Sequence, residues 1–143
     1  MKYLVDANVL SEPTRPSPNP RVLKWLRKHE PEIGVDPVIP GEVRFGILIL
    51  PKGSRRNDLE RWFDAGAGRL QGLPWDADTG LKWAGILARF RAAGKAMPVK
   101  DSLIAATAAV HDLAAATRNR TDFVNAGVRM ADPFADSDSN GRG

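Results

Sequence analysis

An α/β domain with a largely parallel sheet is the architecture these 143 residues predict. Short apolar runs of strand length, Tyr3-Leu4-Val5 and Leu113 to Thr117 among them, alternate with segments of helical periodicity. Such alternation puts helices between successive strands and favours parallel pairing. The first run also stops abruptly at an acid, Asp6. It is too short for a helix and reads as a buried central strand, which places Asp6 at the carboxyl edge of the sheet, where open α/β folds carry their sites.

Composition narrows the chemistry. Hydrophobic residues make up 43% and charged residues 27%, as expected of one globular domain with a single core. Cysteine is absent, which excludes disulfides and thiolate metal sites, and His29 and His111 lack zinc-ligand spacing. No apolar run approaches the length of a membrane span, and the N-terminus lacks the regions of a signal peptide, so a cytoplasmic protein is expected. The net charge of +4, with a pI near 9.8, suits a polyanionic partner.

After Asp6, residues 7–12 allow a turn or two of helix before the proline-rich loop 13–20. Asn19 and Pro20 form a strong helix start, with Val22, Leu23 and Leu26 as the apolar stripe, and the helix ends before Pro31. Ile33 to Ile39 reads as a second strand edged by Pro37, and Pro40-Gly41-Glu42 as the opening of the next helix. Asp58 to Ala65 continues as an amphipathic helix, and Leu70 to Trp75 as a minor edge strand. Asp76 caps the longest helix, with Leu81, Ala84, Leu87, Ala88 and Phe90 expected inward and Gly94 at its end. A further helix begins near Asp101, with Leu103, Ile104, Thr107 and Ala108 in its stripe. Leu113 to Thr117 follows as a buried strand, then a polar loop through Asp122, and a last short strand at Val128 and Met130. One domain is expected over residues 1–134, with a disordered polar tail over 135–143.

In such a sheet every strand's carboxyl end faces one rim, and Asp6, Glu42, Asp101 and Asp122 all arrive there. Taken singly, Glu42 and Asp101 read equally well as dipole partners in first helical turns, and Asp122 as a turn cap. Their agreement on one rim carries the argument. Clustered carboxylates repel unless a proton or a cation intervenes. Hard divalent ions such as Mg²⁺ take oxygen ligands and leave room for water and phosphate. Metal-assisted phosphodiester hydrolysis is the chemistry that these side chains permit.

The segments Leu4-Val5-Asp6-Ala7-Asn8-Val9-Leu10-Ser11-Glu12, Gly41-Glu42-Val43-Arg44-Phe45-Gly46-Ile47, Pro98-Val99-Lys100-Asp101-Ser102-Leu103-Ile104-Ala105-Ala106-Thr107 and Ala116-Thr117-Arg118-Asn119-Arg120-Thr121-Asp122-Phe123 resemble, in order and spacing, the PIN-domain ribonucleases, specifically the VapC-type toxins. The resemblance implies a three-layer α/β/α fold and an endoribonuclease that uses Mg²⁺, with Mn²⁺ as a substitute. It puts Asp6, Glu42, Asp101 and Asp122 at the metal, with Asn119 supporting. It implies an RNA substrate, a homodimer, a small VapB-like antitoxin as inhibitor, and operator DNA bound only through that antitoxin. Two positions depart from the pattern: Ala7 replaces a common Thr or Ser, removing a hydroxyl beside Asp6, and Asn119 is neutral where many relatives are acidic. Ala7 keeps open an alternative, a catalytically impaired module that binds RNA or a partner. A phosphatase with Asp6 as nucleophile ranks lower, because Asn8 stands where such enzymes place a second Asp.

Overall fold

The structure is a computed structural model that describes residues 1–135; most of the tail expected to be disordered lies outside the described residues. Five strands form one sheet: β1 (Tyr3–Val5), β2 (Ile33–Val35), β3 (Gln71–Gly72), β4 (Ala114–Ala116) and β5 (Met130–Ala131). Their order is β3-β2-β1-β4-β5, and every pairing is parallel. The apolar N-terminal run therefore takes the centre, with Leu4 and Val5 fully buried. Seven helices connect and cover the strands in an α/β/α arrangement: α1 (Ala7–Leu10), α2 (Pro20–His29), α3 (Val38–Leu48), α4 (Ser54–Ala65), α5 (Ala77–Ala92), α6 (Val99–Val110) and α7 (Arg120–Asn125).

Local chemistry explains several of these boundaries. The Asn19 side chain accepts a hydrogen bond from the Arg21 amide and Pro20 occupies the first position of α2. Asp76 accepts from both the amide and the hydroxyl of Thr79 at the start of α5. At the other end of that helix Gly94 adopts φ +70, a conformation that favours glycine. Small residues decide how α6 packs. Ala105, Ala106 and Ala108 are fully buried, as are Ala115 and Ala116 on β4, so helix and sheet approach closely and α6 is enclosed on most sides.

Three expectations need correction. The second strand stops at Val35, and α3 begins at Val38 rather than at Pro40. Asp36 accepts a hydrogen bond from the Val38 amide at 2.9 Å, and burial of Ile39 overrides the strand preference of Val38 and Ile39. Glu42 consequently sits in the second turn of α3, beyond reach of a capping role. Second, α4 begins at Ser54, before Asp58, whereas α6 begins at Val99, near Asp101 as expected. Third, α5 is rotated from the expected stripe: Phe90 is buried and Leu87 half-buried as expected, but Thr79 and Ile86 are buried with Trp83 packed alongside, whereas Leu81 is 73% exposed and Ala84 and Ala88 face out. The Trp83 indole donates to Ser102 Oγ on α6 at 2.9 Å and meets Trp75 edge to face, so the larger ring sets the helix rotation. Among the described residues no helix is long and apolar enough to cross a membrane.

Candidate active site

The candidate site grows from the ends of the two central strands. β1 and β4 run in register, with Val5 opposite Ala116, so Asp6 and Thr117 leave the sheet side by side. The Asp6 amide donates to Ala116 O, continuing the ladder one step past the strand. Asp6 then caps α1: its backbone is extended, and Oδ1 accepts from the Ala7 amide at 2.7 Å. Oδ2 accepts from the Thr117 hydroxyl at 2.8 Å and more distantly from Asn8 Nδ2 at 3.4 Å. The carboxylate is only 2% exposed.

Thr117 passes the arrangement on. Its oxygen accepts from the Asn119 amide at 3.1 Å, and Asn119 Nδ2 donates to Asp101 Oδ2 at 2.8 Å. Asp6 and Asp101 are thereby tied together through Thr117 and Asn119, from β1, α6 and the loop after β4. Asp101 is 6% exposed. Its burial, reinforced by the nearby Asp6 charge, holds its carboxyl above the ordinary value, against the opposing pull of Lys100 and the Asn119 hydrogen bond. Asp122, on the first turn of α7, adds a smaller push in the same direction through its charge.

Glu42 reaches the site from α3. Its Oε1 accepts from Lys100 Nζ at 2.9 Å, and the same ammonium lies 3.9 Å from Asp6 Oδ1. Burial works to lower the Lys100 pKa, but the Glu42 hydrogen bond and the charges of Asp6, Glu42 and Asp101 outweigh it and raise the value. Glu42 Oε2 is shut away from solvent with no hydrogen-bond partner. The structure therefore links Asp6, Glu42, Asp101 and Asn119 by direct contacts or one intervening residue, while Asp122 joins through its field. Among the described residues, no three acidic or histidine side chains surround a common point as they stand. The position between Asp6 and Glu42 holds an ammonium.

Those features fit a hard cation. Every candidate donor is a carboxylate or amide oxygen, one carboxylate oxygen is buried without a partner, and a positive group already stands between two of the acids. Asp6, Glu42 and Asp101 could hold such an ion after side-chain rearrangement, with Asp122 contributing its charge.

Three residues escaped the sequence reading. Thr117 supplies a hydroxyl to Asp6 where Ala7 offers none, and only the strand register reveals it. Asp36 ends β2 much as Asp6 ends β1 and is equally buried, so the same signal was available. Three neutral donors surround it: the Val38 amide, Trp75 Nε1 at 3.0 Å and Thr107 Oγ1 at 2.6 Å. Asp36 thus ties α3, α6 and the segment after β3 together. Glu12, in the 3-10 turn after α1, is buried with Arg15 at 3.8 Å.

The chain is similar in sequence and in fold to known proteins. The PIN domain profile matches residues 3–128. The chain belongs to the PIN domain family. Among its relatives, the toxin FitB of Neisseria gonorrhoeae is 35% identical over 93% of this PIN domain and 99% of the relative. The VapC ribonuclease Y4jK of Sinorhizobium fredii is 32% identical over 92% and 96% of the two chains. Among solved structures, a chain of FitAB bound to an IR36 DNA fragment superimposes with a TM-score of 0.86 at 33% identity, covering 94% of this PIN domain and 97% of that chain. VapBC2 of Rickettsia felis, bound to promoter DNA, gives 0.76 at 16% identity, a likeness of fold alone.

Proposed function

We propose that this PIN domain is a metal-dependent endoribonuclease that hydrolyses RNA phosphodiester bonds, and the toxin of a VapBC-type toxin–antitoxin pair. The linked carboxylates of Asp6 and Asp101, with Glu42 beside them, carry that reading. The names of the relatives, a toxin and a VapC ribonuclease, support it. Bound Mg²⁺ or Mn²⁺ supplies positive charge for the phosphate and acidifies a water.

The chain's own groups do the rest. Thr117 and the Ala7 amide fix both oxygens of Asp6, so that the carboxylate is oriented before any ligand arrives. Asn119 holds Asp101 in the same way. Glu42, through the half-exposed carboxylate whose Oε1 Lys100 holds, would serve as a further ligand or orient the attacking water and take its proton as the P–O bond to the leaving sugar oxygen breaks. The basic excess of the chain attracts the RNA backbone.

A small VapB-like antitoxin, a homodimer and operator contact through the antitoxin belong to the same reading; the similarity to a chain of FitAB bound to a DNA fragment, at 33% identity, supports a partner-bound, DNA-associated assembly. An impaired binding module rested on Ala7, and the Thr117 hydroxyl on Asp6 weighs against it.

Incubation of cellular RNA with purified, partner-free protein tests the proposal. Cleavage with Mg²⁺ or Mn²⁺ that is lost with EDTA and in Asp6→Asn is the expected result. No cleavage with either ion would overturn the enzyme and leave the binding module.

A further inference from the structure

Lys100 bridges two acids of this site, Asp6 and Glu42, with a single side chain. Its ammonium donates to Glu42 Oε1 at 2.9 Å and lies 3.9 Å from Asp6 Oδ1. It also feels the charge of Asp101, its neighbour in sequence on the first turn of α6. Three carboxylates from β1, α3 and α6 thus share one positive charge. The side chain is 38% exposed, so it already borders solvent and its flexible four-carbon stem can swing outward.

A divalent ion and this ammonium compete for the same place. Asp6 and Glu42 would hold such an ion through their carboxylate oxygens, in direct contact. Lys100 Nζ, already at hydrogen-bond distance from one and near the other, would then face a doubly charged ion at closer range than any water-separated pair. Repulsion of that size is relieved by moving the lysine. We propose that Lys100 is an internal counter-ion that occupies the cation position between Asp6 and Glu42 and is displaced when a divalent ion binds. The lysine then has two roles. It neutralises the carboxylates in the metal-free protein, and it weakens metal binding by the work of breaking its own contact with Glu42. The proposal rests on the divalent-ion reading of this site.

The test compares Mn²⁺ binding by calorimetry to partner-free wild type and to Lys100→Met, which keeps the stem and removes the charge. Discounted for partial exposure, the lost competition should tighten Mn²⁺ binding roughly tenfold. In EDTA the variant should melt below wild type, because its acids have lost their counter-ion. Equal or weaker binding by Lys100→Met, with normal Mn²⁺ binding by wild type, would overturn the displacement while leaving the metal site standing. Absence of Mn²⁺ binding in both proteins would overturn the metal reading and the displacement together. Acetylation of lysines in wild type, followed by mass spectrometry, is independent of how well the variant folds. Lys100 should be protected in EDTA and become reactive with Mn²⁺, whereas reactivity that stays level or falls on adding Mn²⁺ would overturn the proposal.

Discussion

The hydroxyl of Thr117 donates to Asp6 Oδ2 at 2.8 Å, joining the first residues past two neighbouring parallel strands. Both residues are buried, so the bond is shielded from water and its loss leaves a carboxylate oxygen poorly satisfied. Asn8, at 3.4 Å, is a weak substitute. Thr117→Val keeps the shape and removes the donor. It should lower unfolding free energy by about 1–3 kcal/mol in urea titration. Thr117→Ser, which retains the hydroxyl, should stay close to wild type.

Asp101 makes metal-free stability depend on pH. Its folded pKa is raised above the ordinary 3.8, first by burial and then by Asp6. The folded state therefore favours the protonated form: full stability is present below the ordinary value and part of it is lost as pH rises through the raised one. Asp101→Asn removes that loss and can still accept from Asn119. In EDTA at pH 7 the variant should be more stable than wild type, and the advantage should vanish on acidification below the ordinary carboxylate range. Denaturant unfolding at both pH values measures it.

A second pH effect follows from the same carboxyl. If Asp101 is a ligand, as proposed, cation binding requires it to be ionised and releases a proton wherever that group is still protonated. Mn²⁺ affinity should increase with pH from the acid side and level off once Asp101 has titrated. Calorimetry in buffers of different ionisation enthalpy would detect the released proton.

Asp36 should behave differently from Asp6. Asp36→Ala leaves the Trp75 indole, the Thr107 hydroxyl and the Val38 amide without their acceptor. A loss of about 2–4 kcal/mol is expected, with Mn²⁺ affinity unchanged. Asp6→Asn should instead abolish Mn²⁺ binding. The two variants, measured by thermal melting and by calorimetry, separate a structural acid from a ligand.

Metal should stabilise the fold with the logarithm of its concentration relative to Kd. With Mn²⁺ at a hundred times its Kd, wild type should gain about 2.7 kcal/mol, and EDTA should remove the gain. Asp6→Asn should show neither change.

Much of this architecture was legible in short stretches of sequence. The apolar run ending at Asp6, the Asn19-Pro20 start and the Asp76 cap depend on residues within a few positions of one another, and the structure has each of them. The start of α3 was not legible, because Val38 and Ile39 favour a strand locally and the burial of Ile39 overrides them. The inward face of α5 was not legible either. Leu81 and Trp83 each begin a reasonable stripe, and the choice falls to Trp83 through its bond to Ser102, nineteen positions away.

For the candidate site the division is similar. Sequence by itself determined an α/β domain with acids converging on the carboxyl rim, since strand ends and helix starts follow from local pattern. Tertiary structure decided what surrounds each acid. Asp6 and Asp36 both end buried strands, yet one meets Thr117 from 111 positions away and lies near Lys100, while the other meets Thr107 from 71 positions away and Trp75. The partners of a buried carboxylate determine its energy and its freedom to bind a cation, and here those partners are brought by the packing of β4 and α6 against the centre of the sheet.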